Sequence, residues 1–470
     1  MTEDWSSTSA NHAPRALDLH LDVGALGPGR RQAGLEHALR TAVREGRLGP
    51  GSALPSTRAL ARELGLARGT VTAAYDQLVA EGLLLTRPGA ATTVAELPPT
   101  VSAFAAAARP APPVLHDLGP GTPDGSAFPT RAWLTATRRV LARARPADFG
   151  PGDPQGRPEL RAALAAQLGR TRGVLTTPDQ VVITSGFYQS IGLLAEVLRA
   201  SGVTELAAED PGHRTYREVV ARAGLRVLPV PVDGDGARVE TLTASAVLLT
   251  PSHQYPTGVP LHPDRRRALA SWARRTDGLV IEDDYDGEFR HDRRPVGAFQ
   301  ALAPDRTAYC GSASKTLGPA LRLGWLALPP HLVRPVVEAK ERADLYTETL
   351  GQLVLAELID THAYDRHVRA ARLRYRRRRL LLHRLLDRHP DFTPHGVPAG
   401  LHTLATTDRE EAALLARCAE LGIALSGLTE LHHDPAAAPG RPGGLLIGFA
   451  ATSDHGFERA LHALDEALAS

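Results

Sequence analysis

Of the 54 Lys and Arg residues in this 470-residue chain, only Lys315 and Lys340 are lysines. Any chemistry that needs a nucleophilic amine therefore rests on one of two side chains, since arginine cannot substitute for it. Lys315 lies in Gly311-Ser312-Ala313-Ser314-Lys315-Thr316-Leu317-Gly318, and Arg322 follows two residues before Gly324. An amine attacks a carbonyl when burial or cationic neighbours lower its pKa. Ser312, Ser314 and Arg322 add the hydroxyls and the guanidinium that a phosphate requires. This stretch suits an aldehyde carrying a phosphate handle, held as a Schiff base. Lys340 sits in Val337-Glu338-Ala339-Lys340-Glu341-Arg342 and reads as one charge on a solvated helix face.

Upstream, Ile281-Glu282-Asp283-Asp284-Tyr285 closes an apolar run with three acids and a phenol. At the carboxyl end of a buried parallel strand such groups face the ligand crevice. A carboxylate there keeps a ring nitrogen protonated. Paired acids also suit a metal, but no histidine joins them at ligand spacing, and no metal site is expected. Thr184-Ser185-Gly186-Phe187-Tyr188 follows another apolar run and opens a helical stretch, which makes an anion site of its free N–H groups.

The elements that must position these residues fall into two sets. Val181–Thr184, Ala246–Thr250 and Leu279–Ile281 are β-branched or apolar runs separated by helical stretches. That alternation predicts a mostly parallel α/β sheet with helices on both faces. The last hundred or so residues read as a small α+β subdomain. Near the start, Leu35, Leu39 and Val43 share a helix face. Ser56 caps a second helix carrying Leu60 and Leu64, and Val71, Tyr75, Leu78 and Val79 line a third. Two short strands follow, Leu83–Arg87 and Thr92–Val94, around Pro88-Gly89. Helix, helix–turn–helix and hairpin make a winged helix. The expected domains are 15–95, a Pro/Ala-rich linker at 96–113, and 114–470.

Leu54-Pro55-Ser56-Thr57-Arg58, Ala67-Arg68-Gly69-Thr70-Val71-Thr72 and Tyr75-Asp76-Gln77-Leu78 resemble the helix–turn–helix of GntR-type regulators. The resemblance implies binding to double-stranded DNA. Arg68, Gly69, Thr70 and Thr72 would stand at the end of the recognition helix that enters the major groove, with Arg58 nearby and Arg87 and Gly89 at the wing.

From His116 onward, Pro120-Gly121-Thr122-Pro123-Asp124, Gly152-Asp153-Pro154-Gln155-Gly156 and Pro256-Thr257-Gly258 resemble a fold-type I aminotransferase. The fusion resembles the MocR/GabR family of regulators. It implies pyridoxal 5'-phosphate (PLP) as cofactor, with Lys315 as its Schiff-base lysine, Asp283 on the ring nitrogen and Tyr285 on the phenolic oxygen. Gly186, Phe187, Tyr188, Ser312, Ser314 and Arg322 would hold the phosphate. A head-to-tail homodimer, and PLP or an amine as effector, are also implied.

Three positions depart from the aminotransferase pattern. Tyr255 stands before Pro-Thr-Gly, where aminotransferases carry Asn. His213 takes the place of the aromatic ring stacked on the cofactor, where it would titrate near neutral pH unless Tyr216 covers the ring instead. Leu446 replaces the arginine that grips a substrate α-carboxylate, with Arg441 and Arg214 as the nearest substitutes. These departures favour a regulator, one involved in vitamin B6 metabolism among the possibilities, over a working transaminase. Composition fits that reading. Two cysteines are too few for a disulfide framework, and no stretch is long and apolar enough for a membrane span. The polar first residues lack a signal-peptide core. A cytoplasmic protein is expected.

Overall fold

The computed structural model describes residues 31–96, 114–292, 296–435 and 442–469. The chain divides into two compact units between Ala111 and Pro112. Residues 15–30 of the expected first domain, and the expected linker apart from Glu96, lie outside the described residues.

In the first unit three helices, Arg31–Arg44, Thr57–Glu63 and Arg68–Ala80, precede an antiparallel hairpin of Leu84–Leu85 and Thr93–Val94. The Ser56 side chain accepts from the Ala59 N–H and so caps the second helix. Leu35, Leu39, Leu60, Val71, Tyr75, Leu78 and Val94 meet in one core. The Tyr75 hydroxyl donates to the Pro55 carbonyl at 2.9 Å, tying the third helix to the turn before the second. At the hairpin tip the Ala90 N–H bonds the Arg87 carbonyl, with Pro88 and Gly89 between them. Gly89 has φ +77°, as the third position of a type II turn requires.

The second unit is built on an eight-stranded sheet. Its order is Val181–Thr184, Gly324–Ala327, Thr307–Ser312, Leu279–Asp283, Ala246–Leu249, Glu205–Asp210, Arg226–Asp233 and Gly236–Ala237. The five strands from Thr307–Ser312 to Arg226–Asp233 run parallel to their neighbours. Gly324–Ala327 pairs antiparallel on both sides, and the last hairpin is antiparallel. The sheet is therefore mixed at its two edges around a parallel centre.

Side chains alternate between two apolar faces. Val182, Leu206, Ala208, Leu248, Ile281 and Leu326 pack with helices Phe187–Ala200 and Pro330–Asp344. Val181, Ile183, Tyr309 and Trp325 pack on the opposite side, with helices Pro158–Arg172 and Thr349–Asp360. A smaller antiparallel sheet, Thr393–Pro394, His402–Thr407, Gly443–Gly448 and Ser426–Gly427, packs with helices Ala363–Leu386 and Asp454–Ala469. The early strand His116–Asp117 pairs with Ile423–Ala424, so the subdomain also recruits residues from the start of the unit. Among the described residues no helix is long and apolar enough to cross a membrane.

Candidate functional site

The strand Leu279–Asp283 sorts its acids by alternation. Glu282 points to one side and accepts the backbone N–H groups of Phe299 and Gln300 at 2.6 and 2.8 Å. Asp284 is bound by the buried Arg172 guanidinium through two bonds and by the Tyr309 hydroxyl. Asp283 faces the other way, into a pocket that also receives Lys315, Tyr285, Tyr255 and His213. The carboxylate of Asp283 is buried, and among the described residues neither it nor the Lys315 amine has a hydrogen-bond partner. Burial pushes the Asp283 carboxyl well above the usual range, the Lys315 charge opposing this. Burial also lowers the Lys315 amine, against the pull of Asp283 and Asp286.

Sequence reasoning missed other lining groups. Glu209, Arg217, Thr250 and His402 all reach the pocket, as does the backbone of Gly121. A Cβ on Gly121, where φ is +79°, would lie 2.6 Å from the Lys315 Nζ, so a side chain here would displace the amine. Glu209 is buried and accepts the Thr250 N–H and hydroxyl, and burial raises its carboxyl to about 7. Tyr285 is 3.0 Å from the His253 Nδ1, which also lies 2.8 Å from Asp286. Thr250 and His253 stand in the segment ending Pro256-Thr257-Gly258, the one signal that pointed toward them.

The rings of His213 and Tyr216 stack on each other at 3.8 Å and 10°, and both line the pocket. Burial, with Lys315 and Arg217 adding to it, lowers His213 to about 4, so the expected titration near neutral pH is corrected. Its buried Nδ1 has no hydrogen-bond partner among the described residues.

None of the six expected phosphate residues lines this pocket. Gly186 (φ +103°) precedes helix Phe187–Ala200, and the Arg322 guanidinium lies 3.5 Å from where a Gly186 Cβ would stand. Gly324, paired with Ser312, packs against the Gly186 backbone. The side chains of Ser312, Ser314 and Arg322 are not engaged in hydrogen bonds or ion pairs among the described residues. The Tyr188 ring is set edge-on to Tyr216 at 5.3 Å. The Phe187 side chain is buried in the core against Tyr216, so only its backbone N–H is left for an anion.

Leu446 is fully buried with Leu404, Leu428 and Leu431, and Tyr255 packs on the cluster. Arg214 pairs with Glu218 and does not line the pocket, and Arg441 lies outside the described residues. The arginine that does line it, Arg217, donates to the carbonyls of Gly212, Leu431 and His432. Lys340 is also corrected. It is fully buried and bonds Asp344 at 2.8 Å, because its helix packs that face toward Phe187–Ala200.

In the first unit Arg58, Arg68, Gly69, Thr72, Arg87 and Gly89 are exposed and Thr70 is half-buried. The Thr72 hydroxyl donates to the Arg68 carbonyl. Arg40, by contrast, is engaged with Glu81 through two bonds.

Residues 31–94 match the family described as bacterial regulatory proteins of the gntR type, and residues 114–464 match aminotransferase class I and II. The chain is 32% identical to the HTH-type pyridoxine biosynthesis transcriptional regulator PdxR of Corynebacterium glutamicum, over 92% of this chain and 95% of the relative. It is also 32% identical to the probable rhizopine catabolism regulatory protein MocR of Rhizobium meliloti, over 96% of each. In fold, the second unit is similar to a kynurenine aminotransferase of Pyrococcus horikoshii, with TM-score 0.68 at 22% identity over 76% of this chain and 91% of that one. The chain thus belongs to the MocR-type helix–turn–helix transcription regulators, a GntR winged helix fused to a class I and II aminotransferase domain.

Proposed function

We propose that the aminotransferase domain binds PLP, and that PLP itself, or an amine that joins it, sets the affinity of the winged helix for duplex DNA. One observation carries this reading: a half-buried amine and a buried carboxylate, neither hydrogen-bonded among the described residues, share a single pocket. Buried ionisable groups left unpaired are costly, so such a pair points to a ligand that completes them. When bound, PLP supplies an aldehyde that condenses with an amine and a pyridine ring whose nitrogen carries a proton.

Lys315 offers the amine, and burial raises the fraction of it that is unprotonated at neutral pH. Asp283 receives the ring nitrogen, and Tyr285 donates to the phenolic oxygen, with His253 holding the hydroxyl. The His213–Tyr216 stack gives the ring a flat neutral wall. Ser312, Ser314, Arg322 and the helix-opening N–H groups after Gly186 take the phosphate. Leu446 replaces the arginine that would hold the carboxylate of an α-amino acid. Arg217 is already engaged by three carbonyls, so ordinary amino acids are poor effectors. A lost carboxylate–arginine pair is worth about 1.5–3 kcal/mol. The kinship with PdxR supports PLP as the signal in vitamin B6 metabolism.

On the DNA side, Arg68, Gly69, Thr70 and Thr72 open the recognition helix, Arg58 contacts the backbone or a base edge, and Arg87 and Gly89 form the wing. The protein acts as a cytoplasmic head-to-tail homodimer.

The test is a visible absorption spectrum with PLP, before and after candidate amines, run beside a DNA-shift assay. PLP should be fixed to Lys315 by borohydride, and DNA affinity should respond to PLP but not to common amino acids. Lys315→Ala should lose the fixed label and keep its melting transition. Label persisting in that variant, or steady turnover of an amino donor with a keto acid, would overturn the reading.

A further inference from the structure

A second cleft lies on the aminotransferase domain, apart from the pocket of Lys315. Glu288 and Tyr364 line it, and Arg290, Arg369, Arg372 and Arg376 line it as well. The charge balance is unusual. Arg170, Arg172 and Arg290, at its edge, are each satisfied by a carboxylate: Asp365, Asp284 and Asp292. Arg369 and Arg376 have no hydrogen bond or ion pair among the described residues, and both are exposed. Arg372 uses only its Nε, which donates to the Glu288 carbonyl at 2.8 Å. One guanidinium nitrogen of Arg290, Nη1, is buried without a partner among the described residues.

Arg369, Arg372 and Arg376 stand on helix Ala363–Leu386 at i, i+3 and i+7, which places them on one face. They span about 10 Å along the axis, longer than one phosphate and suited to two linked anionic groups. The floor is rigid. The Tyr364 hydroxyl is 3.1 Å from Glu288 and 3.0 Å from the Thr316 hydroxyl, and His367 bonds the Thr316 carbonyl at 2.7 Å. Guanidinium groups presented as planar forks bind phosphate oxygens two at a time. A concave site with a fixed floor favours a small molecule over the convex backbone of a duplex.

We infer that this cleft is a second ligand site, taking a small molecule of the diphosphate class through Arg369, Arg372 and Arg376. The inference does not depend on PLP occupying the other pocket.

The experiment is calorimetric titration of the full-length protein, preincubated with excess PLP, with inorganic pyrophosphate and, separately, inorganic phosphate. The same titrations are run on R369Q/R376Q. Both substituted side chains are exposed, and the melting transition checks that the variant folds. Saturable pyrophosphate binding, at least tenfold weaker in the variant and at least tenfold weaker for phosphate, supports the site. PLP loading should be equal in both proteins, which separates this site from the cofactor's phosphate cradle. Three results would overturn the inference: no saturable binding, binding unchanged in R369Q/R376Q, or a variant that instead loses only DNA affinity. The last would assign these arginines to DNA phosphates.

Discussion

Asp283 is a carboxylate whose burial costs the empty protein. Its chain neighbours Glu282 and Asp284 are each bonded by two or more donors, whereas Asp283 is buried and has none among the described residues. Asp283→Asn removes the buried charge without changing shape. The empty variant should therefore melt at the same temperature or higher. Its PLP affinity should fall by about tenfold or more, the size of a lost charge-assisted hydrogen bond of ~1.5–3 kcal/mol. Melting with and without PLP measures both. A variant that is less stable empty and equally tight for PLP would remove Asp283 from the site. Residue type was a good guide where one residue had to supply an unusual group. Lys315, Asp283, Tyr285, Tyr255 and His213 do converge. It failed at Lys340, because the charged sequence around it hid a buried helix face and a partner one turn away in Asp344.

At the level of elements, the winged helix depends on short-range bonds. Ser56→Ala removes the cap of the helix that carries Arg58 and should destabilise the first unit by about 1 kcal/mol, read by its melting transition. Arg68→Ala should weaken binding to a specific duplex by about 1–3 kcal/mol, measured by DNA shift at fixed salt, with PLP loading unchanged. The helices and hairpin were legible because caps, glycines and apolar spacing are local signals. The central parallel strands were legible for the same reason. The placing of Gly324–Ala327 between Val181–Thr184 and Thr307–Ser312 was not, since strand order is set by packing between distant segments. That placement brings Gly324 against Gly186, and with them Ser312 and Arg322. His402, too, reaches the pocket only through a strand of the small sheet.

Over the whole molecule, buried titratable groups give stability a defined pH dependence. Burial lowers His213, His291, His383 and His433 to about 4 and His402 to about 3, and lowers His367 and His395 as well. The unfolded chain binds protons at these histidines below about 6.5, where the folded protein does not. They therefore make stability fall as the pH drops through that window. Glu209, Glu282 and Glu288, each raised to about 7, act in the opposite sense, as do Asp283 and Asp360. The five histidines held at about 4 or below outnumber the three carboxyls raised to about 7, so the melting temperature of the empty protein should be lower at pH 5 than at pH 6.5. A rise on acidification would show that the carboxyls dominate.

The burial of Lys340 has a practical consequence. With that amine sealed in an ion pair, Lys315 is the one lysine open to reagents, and its lowered pKa favours reaction at neutral pH. An amine-directed fluorophore should mark the molecule at a single lysine, with any free α-amine as the only rival. The protein thus carries a native attachment point for a probe inside its ligand pocket, and a competing ligand would reveal itself by blocking the dye.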